Sequence, residues 1–121
     1  ALGFLDLSAY GEGYKYSGNV GMADIVFALE WVQDNIANFG GDPDNVTIVG
    51  QSGGGTKVTT LMGMPAARGL FHKAVAMSGG SAKVTRTTEQ AQAETEKVLD
   101  ILGITAENIK DIETIDYVRC V

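Results

Sequence analysis

The chain has 121 residues, a formal net charge of −6, 45% hydrophobic residues and 20% charged residues. This composition is typical of a globular protein rather than of a disordered segment. Nucleic-acid binding needs clustered lysine and arginine, so the acidic balance and the nine scattered basic residues argue against a nucleic-acid partner. No stretch approaches the roughly 18 apolar residues of a membrane span. The single cysteine, Cys120, leaves the cellular compartment undetermined.

The first third of the chain predicts a loop followed by one amphipathic helix. Residues 8–21 are rich in Gly and Ser and carry no period, which is typical of a loop. A helix then ends at Phe39-Gly40-Gly41, where a glycine can adopt the left-handed conformation. The apolar stripe that predicts this helix begins at about Met22 and has helical spacing: Met22, Ile25, Val26, Leu29, Val32 and Ile36.

Two short strands are predicted in the middle of the chain. Asp42-Pro43-Asp44-Asn45 indicates a turn, and the β-branched run Val46-Thr47-Ile48-Val49 indicates the first strand. A glycine-rich segment follows, and Lys57 to Met64 can continue as a helix until the next proline. Ala74-Val75-Ala76-Met77 predicts a second, buried strand.

The last third predicts two helices. Thr87 with Gln90 forms a capping box for the first, which ends at Gly103. A shorter helix after Thr105 is marked by Ile109, Ile112 and Ile115. The order helix, strand, helix, strand is typical of an α/β fold with a parallel sheet. Two strands are too few for such a sheet to stand alone, so we predict parallel strands flanked by helices in an incomplete sheet.

The strongest chemical signal is the G-x-S-x-G motif Gly50-Gln51-Ser52-Gly53-Gly54, which joins a predicted strand to a predicted helix. A sharp turn there would expose the Ser52 side chain at the edge of the sheet, with a strained backbone and positive φ. Gly50 and Gly54 are expected where the strand and helix backbones approach too closely for a Cβ. The Gly53 N–H, at the start of the helix, would point to an oxyanion. The motif therefore predicts Ser52 as a nucleophile and Gly53 as an oxyanion-hole donor.

Two other interpretations of this segment were weighed. Gly50 and Gly55 have the spacing of a phosphate-binding loop, but Thr56-Lys57 stands in the reverse of the required order. Lys57 would be turned by about 100° around the helix from the phosphate, which argues against a nucleotide site. A purely structural turn, with Ser52 capping the helix, remains the alternative.

The residues around the motif resemble the type-B carboxylesterase family, and its bacterial members of the para-nitrobenzyl esterase type most of all. The resemblance is dense over residues 2–80 and loose beyond them. Gln51 replaces the commoner glutamate, and Gly53 replaces the commoner alanine but keeps the N–H. The segments that carry the resemblance besides the motif are Gly18-Asn19-Val20-Gly21, Ala28-Leu29-Glu30-Trp31-Val32, Gly41-Asp42-Pro43, Gly69-Leu70-Phe71-His72 and Met77-Ser78-Gly79.

The resemblance implies that residues 1–121 are the central fragment of a single α/β-hydrolase domain. It implies hydrolysis of small-molecule carboxylic esters through an acyl-enzyme, with no cofactor and no metal. The triad acid and histidine are expected downstream of Val121 and a glycine-rich oxyanion segment upstream of Ala1, so the fragment is expected to be inactive alone. The alternative is a non-catalytic adhesion relative of the same fold, and the retention of Ser52 weighs against it.

The single histidine of the chain, His72, is not expected to be the general base. Ser52 follows the C-terminal end of its strand, whereas His72 precedes the N-terminal end of the next strand, so parallel strands would place them at opposite ends. We therefore predict a structural role for His72 at the entry to the second strand. Ser78, at the far end of that strand, could line the rim of the active site, but a hydrogen-bonding loop residue is the expectation.

Overall fold

The computed structural model describes residues 3–80 and 86–116 of the chain. The chain divides into two compact units, one formed by residues 1–21 with 84–121 and the other by residues 22–83. Among the described residues, no helix combines the length and the apolar character that crossing a membrane requires.

The predicted amphipathic helix, α1, covers Val20–Asn35 and belongs to the second unit from Met22 onward. It starts two residues before the apolar stripe, and the stripe faces inward, with Met22, Val26 and Leu29 buried. A 3-10 helix, Ile36–Phe39, continues it and ends at Gly40, which has the left-handed φ of 81°. The predicted stop at this glycine is therefore confirmed.

A parallel pair of strands forms the centre of this unit. The strand β1 covers Thr47–Gln51 and β2 covers Lys73–Met77, and the register pairs the first residues with each other and the last with each other. The helix α2, Gly53–Gly63, lies in the connection between them and packs on both. Parallel neighbours need such a crossover, because a tight turn can join only antiparallel strands. The first strand extends two residues beyond its predicted end, into the G-x-S-x-G motif.

Apolar side chains cover one face of this two-stranded sheet. The buried core combines α1, α2 and a 3-10 turn, and Ile48 of β1 packs against it. The opposite face is open, because Val49 is 59% exposed and its register partner Val75 is 44% exposed. The buried core residues are Met22, Val26, Leu29, Leu61 and Ala67.

The prediction that β2 is a buried strand is wrong, since all five of its residues are exposed. Parallel strands are buried when helices or further strands cover both faces of their sheet. Within the described residues, β2 has β1 as its single strand neighbour. The apolar run in the sequence therefore identified the strand correctly but not its surroundings.

The first unit contains the helix α3, which covers Thr88–Leu102. Its predicted capping box is present, with Thr87 Oγ1 accepting the Gln90 N–H and Gln90 Oε1 accepting the Thr87 N–H. The helix ends at Gly103, which has a left-handed φ of 69°, as predicted. Four buried side chains form the core of this unit: Leu7, Leu99, Ile104 and Ile109.

Short 3-10 helices replace two predicted features of the first unit. The segment predicted as a loop contains three of them, Ser8–Tyr10, Glu12–Tyr14 and Ser17–Asn19. The predicted C-terminal helix is also a 3-10 helix, Ile109–Glu113. The isoleucines that predicted it, Ile109, Ile112 and Ile115, recur every three residues, which is the period of a 3-10 helix rather than of an α-helix.

Candidate active site

Ser52 occupies the sharp turn between β1 and α2. Its φ of 54° and ψ of −118° place a non-glycine residue in a sparsely populated region, at a cost of about 1–3 kcal/mol. The strand ends at Gln51 and the helix begins at Gly53, so the predicted strained turn is confirmed. Ser52 is exposed, and its side chain does not cap the helix, which argues against the purely structural interpretation.

Backbone hydrogen bonds on both sides hold this turn. The Ser52 N–H donates to the carbonyl oxygen of Met77, the last residue of β2, at 2.8 Å. The Ser52 carbonyl oxygen accepts the N–H of Thr56 at 3.1 Å, which starts the hydrogen bonding of α2. The position of Ser52 is therefore fixed by β2 as well as by its own strand and helix.

Close backbone contact explains the first glycine of the motif but not the last. A Cβ on Gly50 would lie 2.2 Å from the Gly54 carbonyl oxygen and 2.8 Å from the Gly55 nitrogen, which is too close for any side chain. A Cβ on Gly54 would meet no heavy atom within 4 Å among the described residues. The expectation that Gly54 lies in a close approach through its own Cβ position is therefore wrong here. Its backbone is instead the partner that excludes a side chain at Gly50.

A second serine lies beside Ser52 in the same backbone region. Ser78 follows β2 directly and has a φ of 51°, and Ser52 and Ser78 each come one residue after the register pair that ends the sheet. The expectation of a hydrogen-bonding loop residue at Ser78 did not include this strain. A signal was present in the repeat of Ser-Gly-Gly after both strands, at residues 52–54 and 78–80.

Gly53 is the first residue of α2, where backbone N–H groups have no acceptor within their own helix. The helix dipole also concentrates about half a positive charge at this end. The geometry can therefore stabilise an anion that forms next to Ser52 Oγ. Gln51, the remaining motif residue, is exposed at the end of β1.

His72 lies at the other end of the sheet from Ser52. Its N–H donates to the Val46 carbonyl oxygen at 2.8 Å, and its Nδ1 accepts the Val46 N–H at 3.3 Å. Val46 immediately precedes β1, and Ser52 immediately follows it, so strand length separates the two sites by about 20 Å. The predicted structural position of His72, at the entry to the second strand, is confirmed.

No group of three histidine, cysteine, aspartate or glutamate side chains within residues 3–80 and 86–116 is placed to hold a metal ion.

Comparison with known proteins identifies the class. Residues 1–121 match the family model described as the carboxylesterase family. The chain is 47% identical over 113 residues to the para-nitrobenzyl esterase of Bacillus subtilis (strain 168), an alignment that covers 93% of this chain and 22% of that protein. The chain belongs to the carboxylesterase family.

Solved structures of the family share the fold. The carboxylesterase EST55 of Geobacillus stearothermophilus superposes with a TM-score of 0.88 at 44% identity, covering 97% of this chain and 26% of that chain. An esterase of Clostridium hathewayi, described as able to hydrolyse aliphatic aromatic polyesters, gives a TM-score of 0.82 at 51% identity, over 97% of this chain and 24% of that chain. The predicted fold class, part of an α/β-hydrolase, is confirmed. The chain spans about a fifth of the length of the curated relatives it matches.

Proposed function

We propose that this chain carries the nucleophile of a serine carboxylesterase that hydrolyses small-molecule carboxylic esters. The observation that carries the proposal is the strained, exposed Ser52 between β1 and α2, with the N-terminus of a helix immediately after it. Family membership supports the same chemistry, because the relatives are named esterases.

The proposed reaction uses an acyl-enzyme. Ser52 Oγ attacks the ester carbonyl while a general base takes its proton, and the Gly53 N–H stabilises the oxyanion. The tetrahedral intermediate then collapses, the alcohol leaves with that proton, and water hydrolyses the acyl-serine. No step requires a cofactor.

The base and its orienting acid are proposed to lie outside residues 1–121. His72 is the only imidazole in the chain, and it lies about a strand length from Ser52, far beyond the roughly 3 Å that proton transfer needs. Since the relatives are four to five times longer, we propose that this chain is the central part of one α/β-hydrolase domain. The oxyanion segment and the triad partners would come from the rest of that domain.

The test is Ser52→Ala in the full-length protein that contains this sequence. We expect loss of at least about a thousandfold in kcat for para-nitrophenyl acetate, with an unchanged unfolding midpoint. A fluorophosphonate probe should label the parent protein at Ser52 and should not label the variant.

Thr47→Ala is the matched control, because it removes a hydroxyl group from the exposed, opposite end of the same strand. It should keep both turnover and labelling. Full turnover by Ser52→Ala would contradict the proposal. Absence of turnover and labelling in the folded parent protein would also contradict it and would favour a non-catalytic binding relative.

A further inference from the structure

The side of α1 that faces away from the buried core carries large aromatic side chains. Phe27 is 70% exposed and Trp31 is 50% exposed, and Phe39, in the 3-10 helix that continues α1, is 72% exposed. The ring centroids of Trp31 and Phe39 lie 6.0 Å apart. Monomeric proteins rarely leave such a contiguous group in water, because each aromatic side chain can bury about 150–250 Å². This side of the helix therefore has the character of a contact surface.

Two carboxylates lie on the same side of the helix. Asp24, Phe27, Trp31 and Asp34 follow each other at intervals of three, four and three residues, which places them along one helix face. We call these four residues the outer face of α1. Both aspartates are exposed, and within residues 3–80 and 86–116 neither of them forms an ion pair. They lie about 15 Å apart along the helix axis, one beyond each end of the aromatic pair.

The charge of this region restricts what can cover the outer face. Residues 20–39 contain Asp24, Glu30 and Asp34 and no basic residue. A second copy of the chain in a twofold dimer would bring this acidic face against itself, and opposed like charges are costly. Anionic lipid surfaces attract basic rather than acidic segments. A protein segment that combines apolar side chains with lysine or arginine is complementary in both respects.

The proposed parent protein has enough further chain to supply such a segment. The alignment covers 22% of the para-nitrobenzyl esterase of Bacillus subtilis, and the superposition covers 26% of the EST55 chain. A segment of the same polypeptide also has a high effective concentration, because it is tethered to its docking surface. It therefore needs less contact area than a separate partner would.

We propose that the outer face of α1 docks a basic segment of the same protein that lies outside residues 1–121. The inference rests on the proposal that this chain is part of a longer domain. The segment places apolar side chains on Phe27 and Trp31 and a lysine or arginine beside each of the two aspartates. Arginine suits the position next to Trp31 best, because its planar guanidinium can stack on the indole ring while it pairs with a carboxylate.

The first experiment identifies the occupant by photo-cross-linking. Phe27 is replaced by the photoreactive residue p-benzoylphenylalanine in the full-length protein, which keeps an aromatic side chain at this position. After irradiation, mass spectrometry should find a cross-link within one polypeptide to a segment outside residues 1–121 that contains lysine or arginine. The inference is overturned by cross-links to a second copy, by cross-links within this chain alone, by a segment without a basic residue, or by no cross-link in the folded protein.

The second experiment tests the charge with Asp34→Asn, which barely changes the side-chain volume and also serves if the first variant does not fold. Asp34 lies in the last turn of α1, where the helix dipole disfavours negative charge. Removal of a solvated carboxylate there should raise the denaturation midpoint of the full-length protein. If a cation of the docked segment pairs with Asp34, the substitution should lower the midpoint instead. An unchanged or raised midpoint overturns the inference.

Asp44→Asn is the matched control, because Asp44 is an exposed aspartate in the turn before β1. It should change the midpoint less than Asp34→Asn does, and an equal loss in both variants would also overturn the inference. Neither readout uses ester turnover, so the two proposals can fail separately. If Ser52→Ala keeps full turnover while the cross-link to a basic segment forms, the esterase proposal fails and the docking surface stands.

Discussion

Gly79 lies against the backbone of Ser52 so closely that a Cβ on residue 79 would be 2.2 Å from the Ser52 carbonyl oxygen. The same Cβ would be 2.6 Å from the Thr56 nitrogen, which donates to that oxygen. The backbone after β2 therefore packs directly against the first turn of α2, and the contact leaves no room for a side chain on residue 79.

Gly79→Ala should consequently disturb the site although residue 79 bears no reactive group. Insertion of a methyl group into this contact should cost about 1–3 kcal/mol of unfolding free energy. A displacement of Ser52 by about 1 Å should lower kcat roughly a hundredfold. Both quantities are measurable by chemical denaturation and ester turnover in the full-length protein.

Gly80→Ala is the control for that experiment, because a Cβ there would meet no described atom within 4 Å. Neighbouring positions in the same loop should thus respond differently to the same substitution. Equal, small effects at both positions would contradict the role given to Gly79.

His72→Ala should leave ester hydrolysis within about threefold of the parent rate. The substitution removes an acceptor from the Val46 N–H at the start of β1, so a loss of about 1 kcal/mol in unfolding free energy is expected. Steady-state kinetics and denaturation of the full-length variant would measure the two effects. A fall in kcat by a factor of a thousand, with folding intact, would instead identify His72 as the base.

The 121-residue chain expressed alone should self-associate and should not turn over esters. The open face of its sheet exposes Val49 and Val75, and Phe27 of α1 is 70% exposed. Exposed apolar patches and unpaired strand edges favour association. Light scattering, denaturation and a para-nitrophenyl acetate assay would test this. A monodisperse monomer that unfolds cooperatively with several kcal/mol of stability, or one that hydrolyses the ester, would contradict it.

Thr87→Ala should destabilise α3 by about 1 kcal/mol, because it removes the hydroxyl that accepts the Gln90 N–H. The hydrogen bond from the Thr87 side chain also lowers the pKa of Glu89. A lowered folded-state pKa gives stability that is present above the unfolded pKa and is lost as the pH falls through the folded value. The variant should therefore show a higher Glu89 pKa by carboxylate NMR. Its unfolding free energy should also fall less than that of the parent when the pH is lowered through the Glu89 pKa.

Thr88→Ala is the matched control, because the adjacent threonine is the first residue of α3 rather than its cap. It should change neither the unfolding free energy by more than about 0.5 kcal/mol nor the pKa of Glu89. Similar effects of both substitutions would show that the capping box does not account for the stability of the N-terminal end of α3.

The sequence predicted the features that depend on neighbouring residues. The helical period located α1, the capping box and Gly103 located α3, and the G-x-S-x-G between a strand and a helix located the turn at Ser52. Each of these signals lies within a few positions of the structure that it specifies. Local sequence patterns are therefore sufficient to predict α1, α3 and the turn at Ser52.

Features that depend on distant contacts were not predictable in the same way. The contact of Gly79 with the Ser52 backbone joins positions 27 residues apart, and no periodicity encodes it. The exposure of β2 depends on what covers the sheet, which an apolar run of four residues does not specify. The expectation that a Cβ would not fit at Gly54 was also wrong. The close contact is made by the Gly54 carbonyl oxygen, which leaves no room for a Cβ on Gly50.

The hydrogen bond from the Ser52 N–H to the Met77 carbonyl has a consequence for the order of events during synthesis. A ribosome that adds about 5–20 residues per second completes the motif one to several seconds before it completes β2. In that interval β1 has no parallel partner, and the turn at Ser52 lacks one of the bonds that fix its strained backbone. The reactive geometry is thus formed only when the following strand docks, so a nascent chain that stops before Met77 contains the motif but not the hydrogen bond that holds Ser52.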